Sequence, residues 1–124
     1  MAETSRWIAI VDDDPSVLKA LARLLGGRSW TTKTYRSGQQ FIASLPGGMP
    51  ACLVADLQMP EMTGLELQQA LTRKGIRIPT IIITAHDQPG MRERCMAAGA
   101  VAFFAKPVQD KLLFTAIDVA TRRG

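Results

Sequence analysis

Histidine and cysteine are scarce in this chain: its 124 residues hold one His and two Cys. Cys52 and Cys95 are far apart, with no CxxC pair and no His at ligand spacing, so neither a disulfide nor a zinc site is expected. Both read as small core residues. No stretch reaches the apolar length of a membrane span, and the first residues carry charge without an apolar signal core. The expectation is a cytoplasmic protein with no membrane partner. There is no Gly-rich loop ending in Gly-Lys-Ser/Thr, which excludes a P-loop nucleotide site. The 15 Lys and Arg give a formal net charge of +4, yet no basic run exceeds two residues, so the positive balance marks no nucleic-acid face. Low-complexity linkers are missing as well.

What is present suits one globular domain over 1–124. The chain is 47% hydrophobic and 21% charged, and 124 residues can bury a core without disulfides or metals. Trp7-Ile8-Ala9-Ile10-Val11 is a continuous apolar run that stops at Asp12-Asp13-Asp14-Pro15, which reads as a buried strand ending in carboxylates. Asp14 is placed to cap the next helix, with Pro15 in its first turn. Val17, Leu18, Leu21, Leu24 and Leu25 then share a helical face as far as Gly26-Gly27, which can supply a left-handed end.

The pattern repeats. Residues 30–35 are β-rich but polar, as on a sheet edge, and Ser37-Gly38-Gln39-Gln40 matches a capping box. Residues 51–56 form a second buried run, ending at Asp56, after which Thr63 can cap a helix carrying Leu67 and Leu71 up to Gly75. Pro79-Thr80-Ile81-Ile82-Ile83 delivers Thr84 to a strand end, a helix begins around Pro89 and ends at Gly99, and residues 100–105 make a fifth strand before Lys106-Pro107. Leu112, Leu113, Ala116, Ile117 and Ala120 give the last helix an apolar stripe. Strand and helix thus alternate five times, the pattern of a doubly wound α/β domain with a parallel sheet covered on both faces.

Asp56 follows the apolar run Ala51-Cys52-Leu53-Val54-Ala55, and by itself is either a solvated turn residue or a reactive carboxylate. The other strand ends bear on the choice. All C-terminal ends of a parallel sheet lie on one edge, where ligands bind, and here that edge receives Asp12, Asp13, Asp56, Thr84 and Lys106. Converging carboxylates repel unless a cation intervenes, and an all-oxygen set favours a hard divalent ion such as Mg²⁺. A metal beside a carboxylate, a hydroxyl and an ammonium is what phosphoryl transfer to Asp56 requires.

Ile10-Val11-Asp12-Asp13-Asp14, Asp56-Leu57-Gln58-Met59-Pro60-Glu61-Met62-Thr63-Gly64, Thr84-Ala85 and Lys106-Pro107 together resemble the motifs of the receiver domain of two-component response regulators. The chain looks most like the FixJ-type (NarL/FixJ) transcriptional regulators. The resemblance implies a flavodoxin-like, CheY-like (βα)5 fold with strand order 2-1-3-4-5. It implies that Asp56 accepts phosphate from a sensor histidine kinase or a small phosphodonor. Asp12, Asp13, Asp56 and the backbone carbonyl of Gln58 would hold Mg²⁺ or Mn²⁺. Thr84 would be the switch hydroxyl, Lys106 the partner of the phosphoryl group, and Lys106-Pro107 a cis peptide.

The resemblance further implies that phosphorylation changes the surface of the fourth helix, fifth strand and last helix to control homodimerisation, or an output domain outside these 124 residues through which DNA is reached. Phe103 falls at the aromatic switch position, where it lacks the hydroxyl of a Tyr, and is either a switch or a plain core aromatic. Gln58 and His86 either tune phosphate lifetime or face solvent. Such a domain assists its own phosphotransfer and dephosphorylation without being an enzyme. Two other readings are a haloacid-dehalogenase-like phosphohydrolase and a degenerate receiver that only binds. The first places its nucleophile in a DxD motif after its first strand and lacks a counterpart here to its cap domain. The second is opposed by the intact set of acids, Thr84 and Lys106.

Overall fold

A computed structural model of the protein describes residues 6–122, so the expected domain 1–124 extends past them at both ends. Five parallel strands form one sheet in the order β2-β1-β3-β4-β5. They are β1 (Trp7–Val11), β2 (Thr31–Tyr35), β3 (Cys52–Asp56), β4 (Thr80–Thr84) and β5 (Ala100–Ala105), joined by α1 (Pro15–Gly26), α2 (Gly38–Ser44), α3 (Gly64–Arg73) and α4 (Met91–Ala97), with α5 (Asp110–Arg122) closing the fold. The three central strands are buried along their whole length, whereas β2 and β5 are not. That difference explains the sequence pattern: strands covered on both faces read as unbroken apolar runs, and edge strands do not.

The helices divide between the two faces. Leu18 and Leu25 of α1 pack with Leu113, Ile117 and Ala120 of α5 against Ile8, Ile10, Val54, Ile81 and Ile83. Phe41 of α2, Leu67 and Leu71 of α3 and Cys95 of α4 pack against Val11, Leu53, Ala55, Ile82 and Phe103 on the other face. Alternate residues of one strand therefore serve opposite cores, as the period of two requires. Cys52 and Cys95 are both buried, and burial pushes the Cys52 thiol up to about 12.

Local signals hold in most places. The Asp14 carboxylate accepts the Ser16 N–H and caps α1. Thr63 and Glu66 form a complete capping box on α3, with side chain to backbone bonds of 3.1 and 2.9 Å. Gly75 and Gly99 adopt positive φ just past α3 and α4. Three expectations need correction. Gly26 and Gly27 do not supply the left-handed end of α1: Gly27 is right-handed (φ −66°), and the positive φ falls on Ser29, two residues on. There the chain turns sharply, with the N–H of Trp30 bonded to the carbonyl of Leu25.

The box at Ser37 is only half formed. Ser37 accepts from the Gln40 N–H, but the Gln40 side chain reaches past Ser37 to the N–H of Arg36. Leu112 lies outside the apolar stripe of α5 and is 50% exposed, because the stripe that meets the sheet is Leu113, Ile117 and Ala120.

Candidate functional site

Register places the reactive side chains. Val11 pairs with Ala55, and Asp56 pairs with Ile83, so Asp12, Asp56 and Thr84 leave three adjacent strands at the same edge. Thr84 pairs in turn with Ala105, and the N–H of Lys106 donates to the Thr84 carbonyl at 2.7 Å. The Lys106–Pro107 peptide is cis. Carboxylate oxygens of Asp12, Asp13 and Asp56 lie within 4.8 Å of one another. The Lys106 ammonium sits 3.6 Å from Asp12 Oδ2 and 3.5 Å from Asp56 Oδ1.

Electrostatics make this cluster unbalanced, since three carboxylates face one ammonium. Asp12 and Asp56 are only 3% and 8% exposed, so solvent does little to screen them. Burial pushes the Asp56 carboxyl up to about 6, and repulsion from Asp12 adds to this against the pull of Lys106. Burial raises Asp12 too, although it accepts the Asp14 N–H at 2.9 Å and faces Lys106. Asp56 Oδ1 is buried with no hydrogen-bond donor; Lys106 offers it charge at a distance longer than a good hydrogen bond. An orphaned carboxylate oxygen amid excess negative charge is a place a hard divalent cation fits, and the donor set, all oxygen with no His or Cys, agrees with Mg²⁺.

The remaining candidates are placed as follows. Thr84 is fully buried. Its Oγ1 lies 2.6 Å from Gln58 Oε1 and 3.1 Å from the His86 carbonyl, and it accepts the His86 N–H at 3.0 Å. Gln58 is thus tied to Thr84 by its side chain, a contact that sequence spacing did not reveal. His86 is exposed, and it is its backbone that meets Thr84. Phe103 is buried in the core, with the Arg92 guanidinium 5.1 Å from its ring centre. Gly64 was legible only as part of a motif, yet it is pressed against the Asp56 carbonyl. A depression of about 700 Å³ lies away from all of these, at the opposite end of β4 beside Pro79, Gly99 and Val101.

The fold and this edge define a class: residues 8–118 match the model of the response regulator receiver domain, and the chain belongs to that family. Among its relatives is the transcriptional regulatory protein FixJ of Rhizobium meliloti, 39% identical over 118 residues, covering 95% of this chain and 58% of that protein. The response regulator protein TodT of Pseudomonas putida is 35% identical over 122 residues, covering 98% of this chain and 54% of TodT. The chain therefore spans a little over half the length of these curated relatives. Among solved structures it is similar to the crystal structure of FixJ-N, with a TM-score of 0.89, 37% identity and 98% of each chain covered. The protein is a receiver domain of the two-component response regulator kind, a signalling domain related to transcriptional regulators. Among the described residues no helix is long and apolar enough to cross a membrane.

Proposed function

We propose that this domain is a phosphorylation-controlled switch that takes a phosphoryl group on Asp56 from the phosphohistidine of a sensor histidine kinase. The observation that carries the reading is the buried Oδ1 of Asp56, without a hydrogen-bond donor, beside the Lys106 ammonium that it shares with Asp12 on the C-terminal edge of the sheet. Asp56 attacks phosphorus, the P–N bond to the kinase histidine breaks, and an acyl phosphate forms on the carboxylate. Asp12, Asp13, Asp56 and the Gln58 carbonyl would hold Mg²⁺ or Mn²⁺, which when bound would offset the charge of the phosphoryl oxygens. Lys106, already facing Asp56, pairs with one phosphoryl oxygen and Thr84 donates to another.

The output follows from where the domain leaves apolar groups uncovered. Of the five exposed large apolar side chains among the described residues, Met49 precedes β3, and the other four, Met96 of α4, Val101 of β5 and Leu112 and Val119 of α5, lie on the α4-β5-α5 elements at 41–55% exposure. That surface is where phosphorylation promotes homodimerisation or releases an output domain, of the DNA-binding kind by likeness to the FixJ relatives, with Thr84 and Phe103 as the moving parts. A regulator of this type works in the cytoplasm and turns over no substrate of its own. The test is intact-mass measurement after incubation with Mg²⁺ and acetyl phosphate. One base-labile phosphoryl group is expected, absent with a chelator and absent in Asp56→Asn. Full labelling in either control would overturn the assignment.

A further inference from the structure

The hydroxyl of Thr84 has one proton to donate, and in this structure it is already committed. Gln58 Oε1 stands 2.6 Å away, the shortest side-chain hydrogen bond of the site, while the competing His86 carbonyl is at 3.1 Å. The lone pairs of Oγ1 are engaged by the His86 N–H at 3.0 Å, and the Gln58 amide closes the ring with a long contact of 3.5 Å from Nε2 to the same His86 carbonyl. Thr84 is 0% exposed, so no water competes for this proton. A phosphoryl oxygen on Asp56 can receive it only when Gln58 lets go.

We propose that the Gln58 side chain is a latch, a positioning residue that holds the Thr84 hydroxyl away from the phosphoryl site until phosphate arrives. The proposal rests on the reading of Asp56 as phosphoacceptor and adds a role for the amide two residues beyond it. The chemistry of Gln suits the task. Its Oε1 is a good acceptor but uncharged, so it keeps the proton of Thr84 without repelling an incoming phosphoryl group. A carboxylate in its place would hold the proton more firmly and repel phosphate, and an aliphatic side chain would not hold it. Because a neutral bond is exchanged for one to an anionic acceptor, phosphate wins; the latch lowers apparent affinity without blocking it.

The test measures equilibrium binding of beryllofluoride at saturating Mg²⁺ by calorimetry in wild type, Gln58→Leu, Gln58→Ala, Thr84→Val and the Gln58→Leu/Thr84→Val double variant. Removing the acceptor should tighten binding about fivefold, the size of one modest neutral hydrogen bond. Thr84→Val should weaken binding, and adding Gln58→Leu to it should change nothing, because the latch then has no proton to hold. Gln58→Ala, which adds no apolar bulk, should give the same sign as Gln58→Leu.

In the metal-free protein, Gln58→Leu leaves the His86 carbonyl, 3.1 Å from Oγ1, as the remaining acceptor, so the Thr84 proton should turn to it and the exchange rate of the neighbouring His86 amide should change. Unchanged or weaker binding in both Gln58 variants, a gain that survives in the Thr84→Val background, or unaltered His86 exchange would each overturn the latch. If wild type takes up no beryllofluoride at all, the phosphoacceptor reading itself falls; if it binds and the Gln58 variants match it, only the latch does.

Discussion

Replacing Asp56 with Asn should raise the melting temperature of the metal-free protein near neutral pH, although it removes the residue at the centre of the site. A carboxyl held at about 6 in the fold, against an ordinary value of 3.8, prefers to be protonated there. Below about pH 4 both folded and unfolded chains carry the proton and the charge costs nothing. As pH rises towards 6 the unfolded chain ionises first, and the folded state loses stability until the folded group has ionised as well. Above that the full penalty stands, on the order of 3 kcal/mol, equivalent to roughly 10 °C in a domain of this size. Asn cannot ionise, so its advantage should open between about pH 4 and pH 6 and persist above. Mg²⁺ should narrow the gap by stabilising wild type. Differential scanning calorimetry across this pH range checks it; a lower midpoint for Asp56→Asn at neutral pH would show that the carboxylate is not strained.

Gly64→Ala should have the opposite effect, of comparable size. A Cβ on Gly64 would lie 2.6 Å from the Asp56 carbonyl oxygen and 3.2 Å from Leu57 Cα, both backbone atoms, with Ile82 Cδ1 also at 3.2 Å. Neither backbone atom can turn aside as a flexible side chain would. The N–H of Gly64 is also bonded to the Leu57 carbonyl at 2.9 Å, which fixes α3 against the end of β3. The methyl group must therefore push the Asp56–Leu57 backbone, at a cost of about 3 kcal/mol, with a drop of roughly 10 °C. Phosphoryl acceptance should fall with it, because the displaced carbonyl belongs to the acceptor residue. Gly26→Ala is the control: nothing lies within 4 Å of that position, and its helical setting should make the same substitution stabilising by up to about 1 kcal/mol. Chemical denaturation of both variants decides it. Equal stabilities would mean that α3 and β3 are not locked together at Gly64.

The fold was legible because its signals are local. Continuous apolar runs marked β1, β3 and β4, and the period of the helices marked which residues face inward. The acidic cluster was legible for a topological reason, since parallel strands deliver all their ends to one edge whatever the side chains do. What sequence could not show were contacts decided by rotamer or by close approach. Ser29, a residue with a Cβ, takes the left-handed turn while two neighbouring glycines stay helical, because the path from α1 to β2 sets where the chain must reverse. Gln40 overshoots Ser37 by one residue, a choice open to any long side chain at a helix start. The bond from Thr84 to Gln58 joins residues on different strand ends, and no spacing rule encodes it. Gly64 was legible only as the end of a motif, and it is a spacer between α3 and the acceptor residue.

Borohydride trapping tests the central claim most directly. An acyl phosphate on Asp is reduced by borohydride to homoserine, which marks the acceptor permanently and can be located by peptide mass spectrometry. After treatment with Mg²⁺ and acetyl phosphate, homoserine is expected at position 56 alone, with Asp12 and Asp13 unaltered. Homoserine at position 12 or 13, or none anywhere in protein that has taken up phosphate, would contradict the assignment of Asp56 as the acceptor.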